Sequence, residues 1–72
     1  MTKEVLTFVV FIIHNLSEEL NISPEKVYRI LSDSKIIDTY LIPSYDVLHT
    51  LGREYLIEDI SSLVEERGWS WQ

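Results

Sequence analysis

The chain has 72 residues and no cysteine, so it is sized for one domain, and neither a disulfide nor a thiolate metal site can staple it. Twelve acidic side chains against six basic ones leave a net charge of −6 at pH 7. The cations Lys3, Lys26, Arg29, Lys35, Arg53 and Arg67 are scattered along the chain, whereas phosphate backbones reward clustered ones; generic nucleic-acid binding is therefore not expected, and the acidic surface suits solubility or a basic partner protein.

The most apolar run is Val5 to Leu16, VLTFVVFIIHNL. Val5, Val9, Ile12, Leu16 and Leu20 recur at helical spacing and define one face. Leu6, Val10 and Ile13 make a second apolar stripe, and Phe8 and Phe11 fill much of what remains. The β-branched and aromatic content also permits a buried strand. Helical spacing continuing through Asn15-Leu16-Ser17-Glu18-Glu19-Leu20 favours a helix from Thr2 or Lys3 to Leu20. A helix apolar nearly all round must be covered on more than one side. A membrane span needs about 20 predominantly apolar residues, and His14, Asn15 and Ser17-Glu18-Glu19 interrupt this run too early. Lys3-Glu4 and the lack of a small-residue cleavage site argue against a secretory signal.

Asn21-Ile22 connects to a second helix. Ser23 is its N-cap, Pro24 takes a first-turn position where no donor is needed, and Glu25 suits the positive end of the dipole. Val27, Ile30 and Leu31 should point inward with Tyr28 beside them, and the helix should end near Ser32-Asp33-Ser34. Asp33 or Ser34 would cap a short helix or turn at Ile36–Leu41, which Pro43 interrupts. Another short helix is expected from Pro43 or Ser44 to Leu51, with Val47, Leu48 and Leu51 inward and Gly52 as a left-handed stop. The last helix should run from Arg53 or Glu54 to about Arg67. Leu56, Ile60, Leu63 and Val64 form its stripe and Ile57 widens it, with acidic residues on the wet face. Gly68 is a second stop. Residues 1–68 then make the domain, and 69–72 a tail carrying Trp69 and Trp71.

Few residues suggest chemistry. Asp46 and His49 lie three apart beside Tyr45 and could form a proton-transfer cluster, but no nucleophile or oxyanion element accompanies them. His14 lacks the partners a metal site requires. No catalytic residue, metal site or cofactor is therefore assigned. Trp69 and Trp71 are costly to leave in water; they should dock on their own chain or a dimer mate, or anchor a foreign partner. The segment from the second helix to Pro43 could be forced into a helix-turn-helix frame, yet Ile36–Leu41 is too apolar to read bases.

The stretch Tyr40-Leu41-Ile42-Pro43-Ser44-Tyr45-Asp46-Val47-Leu48-His49-Thr50-Leu51-Gly52, followed by Glu54-Tyr55-Leu56-Ile57-Glu58-Asp59-Ile60, resembles a family of small bacterial proteins known as domain of unknown function 3791. The Ile22-Ser23-Pro24-Glu25 helix start and the apolar first helix fit it too. The resemblance marks Tyr45, Asp46, His49, Thr50 and Gly52 as motif positions, and it brings no established activity. It implies a short helical domain, often encoded near small toxin-like reading frames, and so a partner-binding or antitoxin-like role. In physical terms the motif reads as a capped turn: Asp46 near a helix start, His49-Thr50 near its end, Gly52 the stop.

These readings converge on an all-α domain of four to five short helices packed around a central apolar N-terminal helix. The expected function is non-enzymatic protein–protein contact in the cytoplasm, as a homodimer or with another small protein. Neither a membrane nor a nucleic acid is expected as partner. Leu6, Val10, Ile13, Trp69 and Trp71 are the candidate interface. An accessory enzyme using Tyr45, Asp46 and His49, or a DNA-binding regulator using Lys26, Arg29, Lys35 and Arg53, are the rivals.

Overall fold

A computed structural model describes residues 1–71. Helix α1 spans Lys3–Leu20. Thr2 opens it, its hydroxyl accepting the Val5 N–H at 3.2 Å, and Glu4 lies in the first turn, where a carboxylate meets the positive end of the dipole. Asn21 closes it at φ 55°, a left-handed position that asparagine tolerates better than most side chains. The Ile22 N–H reaches back to the Ser17 carbonyl at 3.2 Å, and the Ser17 hydroxyl donates to the Ile22 carbonyl at 2.6 Å, so the exit from α1 is held at both ends. The axis then turns by 117° into α2, Pro24–Asp33, where the Ser23 hydroxyl accepts the Lys26 N–H at 3.2 Å and Pro24 takes the first position.

Beyond α2 the chain departs from expectation in detail. Neither Asp33 nor Ser34 caps the next segment. Ser34 is buried and its hydroxyl turns back to the Leu31 carbonyl at 3.3 Å, while Lys35 takes the left-handed conformation at φ 67°. The segment Ile37–Leu41 is wound as a π-turn, with the Ile42 N–H on the Ile37 carbonyl at 3.0 Å. Pro43 has no N–H to extend that ladder, and the next backbone bond runs from Ser44 to the Tyr40 carbonyl at 3.0 Å. Helix α3 is a single turn, Tyr45–Leu48, rather than a helix reaching Leu51, and Val47 is 66% exposed instead of inward. Gly52 is not a left-handed stop. Its φ of −73° and ψ of 158° are extended, and it serves as the N-cap of α4, Arg53–Glu66. Gly68 does fill the left-handed role at φ 81°. Its N–H bonds the Glu65 carbonyl and that of Trp69 the Val64 carbonyl, both at 3.0 Å, a Schellman closure.

The fold is all-α among the described residues, with α2 and α4 both packed on α1 and the π-turn joining α2 to α3. The buried set follows the expected stripes: Val9, Ile12 and Leu16 from α1, Val27, Ile30 and Leu31 from α2, and Leu56, Ile60 and Val64 from α4. Ile36, Ile37, Leu41 and Leu48 close the remaining side. Leu16 is fully buried; truncating such a side chain to Ala costs about 2–5 kcal/mol. That matches the roughly 3–5 kcal/mol a core of this size supplies, so one cavity at Leu16 should unfold the chain. Among the described residues no single helix is long and apolar enough to cross a membrane.

Candidate functional site

Packing α2 and α4 on α1 leaves the second apolar stripe uncovered. Leu6 is 52% and Val10 55% exposed, and Ile13, one turn further on, is half-buried. Opposite them α2 presents Glu25, Tyr28, Arg29 and Ser32, spaced three, four and seven residues from the first and hence on one face. Tyr28 is 55% exposed despite its ring. The two stripes form the walls of an open groove made of two concavities, about 510 and 430 Å³, that share Ile13, Tyr28 and Ser32. Met1 and Leu6 line one end and Pro24 the other. Four exposed large apolar side chains, Met1, Leu6, Val10 and Tyr28, line it. Scattered apolar residues are ordinary on a surface, whereas a contiguous groove marks a contact site.

The motif residues lie elsewhere, against the N-terminal half of α1. The Tyr45 ring meets Phe8 edge-on, centroids 5.5 Å apart at 74°, and stacks on the His49 ring at 4.5 Å and 13°. His49 Nδ1 lies 2.8 Å from the Tyr45 carbonyl, and the Thr50 hydroxyl donates to the Val47 carbonyl at 2.7 Å. Thus the histidine and threonine occupy the end of α3 as expected, and satisfy its last carbonyls. Tyr45 and His49 border a concavity of about 320 Å³ with Phe8 and Phe11, but Asp46 is not among its lining residues. The three side chains of the proposed proton-transfer cluster therefore do not converge on one pocket.

Three polar clamps hold the helices, and none was read from the sequence. Asn15, 7% exposed, donates from Nδ2 to the Phe11 carbonyl at 2.7 Å and accepts Arg53 Nε on Oδ1 at 2.5 Å. Arg53 also lies 3.6 Å from Glu19, so α4 is pinned to α1. Tyr40 donates to Asp59 at 2.5 Å. That hydrogen bond, with burial and the negative charge of Asp59, pushes the phenol up from 10.0 to about 12. Arg67 donates to the Ser34 carbonyl at 2.8 Å and to the Thr39 hydroxyl at 3.0 Å. Asn15 was the legible signal, a polar residue inside an apolar run. Its partner 38 residues away was not.

The remaining candidates are dispersed. His14 lies 3.3 Å from Glu18 one turn on and is exposed. Among the described residues no three metal-ligating side chains gather. Of the cations that the DNA-binding rival needs on one face, Arg29 lines the α1/α2 groove and Arg53 lies in another, beside Glu19, Glu54 and Glu58. Trp71 packs half-buried against the core of its own chain, its indole N–H buried without an acceptor among the described residues, while Trp69 stays 39% exposed. Gln72, the last residue of the expected tail, lies outside the described residues.

Residues 7–67 match the family described as Protein of unknown function (DUF3791). The chain belongs to that family. No curated protein and no solved structure matches it. The family match takes in Val10, Ile13, Tyr28 and the whole Tyr45–Gly52 stretch, and Leu6, Trp69 and Trp71 fall outside it. In this member of DUF3791 the motif serves packing and chain closure: Tyr45 on Phe8, His49 and Thr50 on the end of α3, Gly52 at the start of α4.

Proposed function

We propose that this DUF3791 chain works by protein–protein contact rather than catalysis, through the groove between α1 and α2. The observation that carries the reading is the stripe of Leu6, Val10 and Ile13, left open beside Tyr28. A chain that buries only about 60% of its unfolded surface gains stability by covering such a stripe. The reading places the chain in a reducing cytoplasm, a setting that its lack of cysteine fits.

A photo-activatable cross-linking residue at Val10, compared with one at the somewhat more exposed Val47 off the groove, tests this in the native cell. Discrete adducts at Val10 and none at Val47 are expected. No adduct at Val10, or the same diffuse pattern at both positions, would remove the reading.

A further inference from the structure

The groove has an apolar floor and a charged rim, and the rim is one-sided. Glu25 and Asp33 stand on the α2 wall, and Asp38 at the far end of the second concavity. Against these three carboxylates the rim carries one cationic side chain, Arg29, and the amine of Met1 at one end. All four side chains are exposed, and none makes an ion pair within 4.0 Å among the described residues, where the only pairs are His14–Glu18 and Arg53–Glu19. An excess of carboxylates, none of them ion-paired, around an apolar groove selects a partner that brings cations of its own.

The dimensions limit the partner further. Leu6 to Ile13 is seven residues of helix, about 10 Å of wall, and Glu25 to Asp33 is about 12 Å. That length suits about two turns of a helix lying in the groove with apolar residues at i, i+3, i+4 and i+7. A second copy of the chain fits poorly. A two-fold contact places the same patch on both sides, so each copy would bring the same excess of carboxylates, Glu25, Asp33 and Asp38, to the contact. It would also join two chains of charge −6.

We infer that the groove between α1 and α2 binds an amphipathic helix of a different protein, apolar on one face and flanked by Lys or Arg that pair with Glu25, Asp33 and Asp38. This rests on the contact reading above and specifies its partner. The negative field of the whole chain favours encounter with such a segment.

The probe is a 14-residue Leu/Lys amphipathic helical peptide, with a Leu/Glu peptide of identical apolar face as its counterpart, titrated calorimetrically into the full chain. The Leu/Lys peptide should bind and the Leu/Glu peptide should bind at least about tenfold more weakly. Val10→Asn should weaken the Leu/Lys complex about tenfold, and Val47→Asn, which adds the same amide to an exposed site off the groove, should leave it unchanged. Asp33→Asn with Asp38→Asn should weaken binding and flatten its salt dependence.

Equal affinity for both peptides overturns the inference and leaves the contact reading intact. So does a dimer, seen by light scattering, that Val10→Asn dissociates. Leu/Lys binding that is indifferent to Val10→Asn, with no dimer, means adhesion to an acidic surface and sinks the inference and the contact reading together.

Discussion

Arg53 and Asn15 should respond very differently to removal, although they share one hydrogen bond. Asn15 is buried in α1, and its amide is fixed because Nδ2 is committed to the Phe11 carbonyl. Its Oδ1 therefore faces α4 and depends on Arg53 Nε. The Arg53 side chain is 41% exposed, so it can return to water at little cost. Arg53→Met keeps the aliphatic stem but orphans a buried carbonyl oxygen, which costs about 1–3 kcal/mol. The same substitution removes the ion pair to Glu19. That pair, between side chains 41% and 53% exposed at 3.6 Å, adds at most about 1 kcal/mol and is screened by salt.

Asn15→Leu instead replaces the buried amide with a side chain of similar size, and should be neutral within about 1 kcal/mol. Urea unfolding followed by circular dichroism gives both values, and each 1 kcal/mol corresponds to about 4–8 °C in Tm for a chain of this size. The double variant should be no less stable than Arg53→Met alone, because the orphaned group is gone. At high salt most of the destabilisation by Arg53→Met should persist. Arg53→Met as stable as the parent, or a destabilisation erased by salt, would show that the surface ion pair rather than the buried amide holds α4 to α1.

Three other groups of contacts give outcomes of their own. The Tyr40 phenol is raised to about 12 in the fold, so the protonated form is favoured there. Its contribution is fully present below the ordinary value of 10.0 and is lost as pH rises from there through about 12. Tyr40→Phe should cost about 1 kcal/mol at pH 8, discounted for partial exposure, and the gap to the parent should close between pH 10 and 12 in urea midpoints; a gap constant with pH contradicts the Asp59 bond. Gly52→Ser should raise stability by about 0.5–1 kcal/mol, since an N-cap gains an acceptor and the unfolded chain loses freedom, whereas Gly68→Ala at φ 81° should cost about 1–2 kcal/mol. The opposite ranking in thermal melts would restore Gly52 as the left-handed stop. Trp71→Phe removes the orphaned indole N–H and should stay within about 1 kcal/mol of the parent, while Trp71→Ala should lose about 1–3 kcal/mol; an Ala variant as stable as the parent would mean that the tail contributes nothing to the core.

The elements that were legible are those fixed by periodicity and by local caps. Val9, Ile12 and Leu16, like Leu56, Ile60 and Val64, share a face whatever packs on them, and Ser23-Pro24 starts a helix through contacts three residues away. Gly68 was legible because the apolar stripe of α4 stops just before it, at Val64. Gly52 was not. A glycine between two short apolar segments suits either the end of one helix or the start of the next, and the choice depends on how many residues α3 holds. The π-turn ends just before Pro43, and α3 begins only at Tyr45. A single turn, closed by His49 and Thr50, leaves Gly52 free to open α4.

The candidate site divides along the same line. That Leu6, Val10 and Ile13 form one stripe is a matter of spacing alone, but whether any stripe of α1 stays open depends on where α2 is carried. The 117° turn decides it. That turn is set by Asn21 in the left-handed conformation and by the Ser17–Ile22 bonds, with the Ser23 cap immediately after them. A different angle there would change which α2 residues stand beside the Leu6 stripe, now Tyr28 and Ser32. The acidic rim is likewise a product of the turn rather than of composition, because Glu25 and Asp33 are ordinary surface residues of an ordinary amphipathic helix until α2 is set against α1. The contact chemistry of the groove is therefore written in the connection between the helices as much as in the residues that line it.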